Sequence, residues 1–127
     1  MTIHTSFYDK VPELDKSAYT FVRVSRTAAP EWFPQMVQSH VDLSETLGPS
    51  QAMLKECHPA ENWEEFKPRY IKEVLGALDK ASLLELFANI HRNNGSHPLV
   101  LLCYETSEEN CHRHLIAGFL GVEITEL

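Results

Sequence analysis

A chain of 127 residues is the length of one domain, and residues 1–127 are read as a single unit with a core of its own. The apolar share of 43% and charged share of 23% exclude a disordered chain. The longest apolar run, Leu115 to Val122, is far short of the roughly 20 residues a membrane span needs. The first residues, MTIHTSFYDKV, lack the basic start and apolar stretch of a signal peptide, so a cytoplasmic location is expected. Eighteen acidic residues against 11 basic ones give a net charge of −7, spread evenly on both sides of Trp63. That field opposes non-specific binding to nucleic acid. Three cysteines without a CxxC spacing suit reduced thiols better than a disulfide framework.

In chain order, residues 2–8 are rich in β-branched and aromatic side chains and predict a first strand. Residues 19–25 (YTFVRVS) alternate and predict a second. From Ala28 to Ser50, prolines and glycines leave room only for short helices. Ser50 or Pro49 starts a helix through Cys57. Phe66, Tyr70, Val74 and Leu78 recur every four residues, which is a helical stripe, and Pro68 inside it implies a kink or a second start. A further helix runs from about Ser82 to Asn93. Residues 98–104 are almost continuously apolar, as in a parallel strand buried on both faces. Thr106 and Glu109 form a capping box for a helix bearing Leu115, Ile116, Phe119 and Leu120, which ends at Gly121. Residues 122–125 alternate like a last strand. The expected fold is α/β: a three-layer single domain, with a small, mostly parallel sheet flanked by helices and a C-terminal βαβ unit. An exposed last strand offers an edge for pairing with a second copy, a route to a homo-oligomer.

Ligands of open α/β sheets bind beyond the carboxyl ends of the strands. Two segments are expected there: Val24-Ser25-Arg26-Thr27, and Cys103-Tyr104-Glu105 with the following helix bearing Cys111-His112-Arg113-His114. Thiols, a carboxylate, imidazoles and guanidinium groups thus converge on one edge.

These residues also carry a resemblance. CYETSEENCHRHL is similar to the C-x-E…CHR block of an uncharacterised bacterial family, domain-of-unknown-function family 488, which includes YeaO-like proteins. VSRTAAPEWF, LGPSQAMLKE, NWEEFKPRYIKEVL and GVEITEL resemble further blocks of the family in the same order, so the likeness covers roughly residues 19–127. Gly48 departs from the family's usual alanine, and Asn110 stands where an aromatic is frequent. The resemblance implies an α/β fold and a site using Cys103, Glu105, Cys111, His112 and Arg113. It implies no particular reaction.

Each candidate also has a structural reading. Arg113 follows Glu109 by four and is either an anion ligand or half of a surface ion pair. Cys103 and Cys111 are nucleophiles or inert buried thiols. His112 is a proton carrier or a histidine satisfied by a carbonyl. Glu105 is expected to pair with Arg26 or Arg113, and that pair is functional or structural. Tyr70 is helix core unless its hydroxyl reaches the pocket. Ser25 lacks the G-x-S-x-G of a nucleophile elbow. No nucleotide-loop signature is present. A dyad of the neighbours Cys111 and His112 is disfavoured, because adjacent helical side chains diverge by about 100°. Cys103, Cys111, His112 and His114 are zinc-type ligands in a spacing that is no standard zinc pattern, so no metal site is assigned.

Three functions remain in play. The first is a protein that binds a small anionic, nucleotide-like ligand at the strand ends and acts on it. Its catalytic candidates are Cys103, Glu105, Cys111 and His112, and its binding candidates Ser25, Arg26, Tyr70 and Arg113. The second is a non-enzymatic interaction module whose polar cluster fixes the fold. The third is a metal-dependent hydrolase. The residues name no cofactor.

Overall fold

The computed structural model describes residues 1–59, 61–104 and 111–127. Glu105 and the capping box of Thr106 and Glu109 lie outside the described residues.

Five strands form one sheet: β1 (Ile3–Phe7), β2 (Thr20–Arg23), β3 (His40–Asp42), β4 (Leu99–Cys103) and β5 (Thr125–Glu126). Their order is β3-β2-β4-β1-β5, and every pairing among the described residues is parallel. Ile3 lies opposite Leu99 and Thr20 also opposite Leu99, so β4 is the central strand. It is buried along its whole length, as its unbroken apolar sequence requires.

Alternation along the strands divides the core in two. Val22, Val24, Leu99 and Leu101 face a layer of helices: α2 (Ser44–Leu47), α3 (Gln51–Glu56), α4 (Trp63–Glu73), α5 (Lys80–Asn93) and α6 (His112–Leu120). Phe21, Val100 and Leu102 face a thinner layer, made of a 3-10 turn over Tyr8–Glu13 and the single-turn α1 (Phe33–Met36). The expected three layers are present, with unequal thickness.

The connections after β1 and β2 cross toward the β3 edge on the thin face. Those after β3 and β4 run the other way on the helical face. Right-handed crossovers produce this division. The C-terminal β4-α6-β5 unit is parallel, but β1 fills the gap between its two strands.

Two local outcomes differ from the sequence pattern. Pro68 neither ends nor starts a helix. It lies inside α4 on the solvent side, where the carbonyl it deprives of a partner is not buried. The stripe's last residues, Val74 and Leu78, fall after α4, around a 3-10 turn over Leu75–Ala77.

Candidate functional site

The carboxyl ends of all five strands lie on one edge, because all five run parallel. Two neighbours there, β2 and β4, send their chains to opposite faces. The sheet parts at such a switch point, and ligands of open α/β sheets bind in the opening. A crevice of about 210 Å³ occupies it, lined by Ser25, Arg26 and Thr27 after β2, Tyr104 after β4, and His112 at the start of α6. Pro49 and Leu54 form an apolar wall, and exposed His58 stands at the margin.

Arg26 is half-buried, and its Nε donates to the Pro49 carbonyl at 3.2 Å. No carboxylate among the described residues lies within ion-pair distance of it. A second cavity, of about 320 Å³, opens on another side of Arg26, beside Glu45, Ser50 and Glu73. Gly48 makes this crowding feasible. A Cβ there would run into the Ser44 carbonyl oxygen and approach the Arg26 backbone nitrogen to 3.1 Å. Ser25 spends its hydroxyl proton on the Thr27 carbonyl at 3.1 Å, which leaves its oxygen as an acceptor. The Tyr104 hydroxyl donates to the Ala28 carbonyl.

His112 is buried between the Phe66 and Tyr70 rings and the exit of β2. Its Nε2 is 2.5 Å from the Val24 carbonyl oxygen. A carbonyl only accepts, so Nε2 carries the proton, and in the neutral ring Nδ1 is bare. Burial depresses the imidazole to about 4, with the nearby Arg113 charge acting in the same direction, so the ring is neutral at pH 7.

Nδ1 lies 3.6 Å from Cys111 Sγ. The divergence expected of these neighbours belongs to two helical residues. Cys111 is the N-cap of α6, with extended backbone (φ −149°, ψ 148°), so the helical divergence does not apply to it. The sulfurs of Cys111 and Cys103 are joined as a disulfide, against the expectation of reduced thiols. Cys103 is the last residue of β4 and Cys111, eight positions on, is the N-cap of α6. The third cysteine, Cys57, is buried and free, with its sulfur on the Met53 carbonyl.

Arg113 is not half of a surface pair. It is fully buried beneath the strand ends. Its Nε and Nη2 donate to the two carboxylate oxygens of Glu126, at 3.2 and 2.7 Å, and its Nη1 to Cys103 Sγ at 2.9 Å. Phe7 lies under its guanidinium carbon at 6.0 Å. Glu126 also accepts from the Thr5 hydroxyl at 2.5 Å. Burial works against its charge, but the bonds from Arg113 and Thr5 outweigh this and hold its carboxyl below the ordinary range.

The remaining candidates lie apart. Tyr70 is buried and donates its hydroxyl to the Leu47 carbonyl at 2.7 Å, behind His112 and outside the crevice. Half-exposed His114 turns to Glu126, 3.5 Å from Oε1, and is not in the group of donor atoms that the other three zinc-type residues form. The donor atoms that gather among the described residues are those of Cys103, Cys111 and His112, all within 4.8 Å of one another. Two of these are the bonded sulfurs. Thr27 and Tyr104 line the crevice from within the two segments expected there, whereas Thr5 and Glu126 were not foreseen. The rule that singled out Glu105, a carboxylate at the end of a parallel strand, applies equally to Glu126.

No curated protein and no solved structure matches the chain. A family model does, the one described as the active DUF488-N3 subclade, over residues 15–123. The chain therefore belongs to the DUF488 family.

Proposed function

We propose that this protein binds a small anionic, nucleotide-like ligand in the crevice between the ends of β2 and β4, and acts on it. The observation that carries this reading is Arg26, a cation without a carboxylate partner among the described residues, at the switch point of a parallel sheet. An anionic group such as a phosphate is held by the Arg26 guanidinium. The Ser25 oxygen accepts from a neutral hydroxyl of the ligand, and Pro49 and Leu54 take a flat apolar part. The acting group in this reading is Cys111 in its thiol form, hydrogen-bonded to His112 Nδ1 at 3.6 Å and placed at the start of α6, whose dipole favours the thiolate. The description of the matching subclade as active favours an enzyme.

Thermal unfolding with nucleoside monophosphates and inorganic phosphate as probes tests the binding. A ligand at ~100 times its dissociation constant adds about 2.7 kcal/mol, a rise of several degrees in Tm. The expected result is such a rise in the wild type and its loss in Arg26→Ala. Equal shifts in both proteins, or none in either, reject the crevice as the site.

A second reading, an interaction module whose polar cluster serves the fold, has its own support in the complete burial of Arg113 on Glu126. On that reading Arg26→Ala changes neither ligand response nor stability, and only Arg113 matters.

A further inference from the structure

The two bonded sulfurs sit in unlike surroundings. Cys103 Sγ receives Nη1 of Arg113 at 2.9 Å, the one arm of that guanidinium not committed to Glu126. Cys111 Sγ sits beside the unprotonated Nδ1 of His112, whose ring lines the crevice. Cys111 also caps a nine-residue helix, where the positive end of the dipole favours a thiolate. One sulfur is therefore arranged to leave as an anion, and the other is buried against His112, the residue that separates it from the crevice. A purely structural crosslink requires neither arrangement.

We propose that Cys103 and Cys111 form a redox-active site, a disulfide that exchanges with small thiols admitted through the crevice. An incoming thiolate attacks Cys111 Sγ. The bond to Cys103 breaks, and its electron pair leaves with Cys103 as a thiolate held by Arg113. A low-pKa leaving sulfur speeds this step. A second thiolate attacks the incoming sulfur of the mixed disulfide and releases Cys111, which takes up a proton. Two thiols are oxidised to one disulfide, and the protein disulfide is reduced to a dithiol with the two electrons. The reverse sequence, with a small disulfide as oxidant, restores the bond. This exchange requires no anionic ligand, so it stands or falls separately from the binding reading. Where Cys111 does act on a ligand, the bond to Cys103 withholds the acting thiol.

The test uses folded wild-type protein, glutathione and its disulfide, acid quenching, alkylation of free thiols and intact mass. The expected oxidised form is lighter by two hydrogens and alkylates only at Cys57. Glutathione in native buffer returns it to three alkylated cysteines. Cys103→Ser is expected to retain a glutathione adduct at Cys111, and Cys111→Ser to form one at Cys103 at least ~10-fold more slowly. The proposal is overturned if glutathione disulfide leaves the mass of the reduced protein unchanged, or if reduction of the oxidised protein needs denaturant. It is also overturned if freshly purified protein holds a zinc ion on Cys103, Cys111 and His112, or if the two variants react in the opposite order. The wild-type measurement decides whether the couple exists even where a variant fails to fold.

Discussion

Arg113 is surrounded by protein on every side, and that sets the cost of disturbing it. Truncation to alanine leaves Glu126 facing the strand ends without its two strongest donors and opens a hole over Phe7. Breaking one side of a buried pair costs about 3–5 kcal/mol. Urea unfolding of Arg113→Ala is therefore expected to show a loss of that order, and a loss under about 1 kcal/mol means the pair is not a fold determinant. Gly48 presents the opposite problem of added bulk. Gly48→Ala drives a methyl at the Ser44 carbonyl and the Arg26 backbone, which cannot step aside cheaply, so it is expected both to lower Tm by several degrees and to weaken ligand binding in the crevice. Parallel titrations of the two proteins check this. The sequence exposes such residues unevenly. Glu109 is visible as a partner for Arg113 because helical spacing is local. Glu126, thirteen positions further on, comes to it only through the closure of the sheet. The contact of Cys111 with His112 was hidden because an N-cap and a helical residue look alike in a sequence until the helix start is fixed.

Among the elements, those with strong local chemistry were legible. Leu99–Cys103 is apolar at every position and has one plausible fate, a central parallel strand. Ser50 was readable as a helix start, and its hydroxyl oxygen accepts from the Met53 N–H at 3.1 Å. Ser50→Ala is expected to cost ~1 kcal/mol, measurable as a shift of the denaturation midpoint with unchanged slope. Gly121 ends α6 in the left-handed region (φ 66°), where a side chain is strained, so Gly121→Ala is expected to cost about 1 kcal/mol as well. β3 was not legible. Its three residues, His40–Asp42, are exposed or half-exposed and carry no apolar run. Pairing with β2 makes them a strand, with Arg23 of β2 holding Asp42 at 3.0 Å.

For the molecule as a whole, the site couples stability to pH. His112 titrates at about 4 when folded, against 6.5 for a free imidazole. Between these values the unfolded chain binds a proton that the folded protein refuses. The stabilisation is therefore complete above pH 6.5 and declines as pH falls toward 4, by roughly 3 kcal/mol. Glu126 acts in the same direction at lower pH, since its folded carboxyl is held below its free value. Urea midpoints measured from pH 7.5 down to 4 should fall steadily in the wild type and flatten in a folded His112→Gln variant. A flat wild-type profile contradicts the buried neutral imidazole. The sheet order has a different consequence, in the time at which the molecule forms. β1 comes first in chain order among the described strands, yet it lies between the last two, β4 and β5, with Ile3 against Leu99 and His4 against Thr125. Contacts so distant in sequence are slow to form. Until Leu99–Cys103 is in place β1 has no neighbour on either side, so the sheet closes late in folding, when β4 joins β1 to the β2–β3 pair.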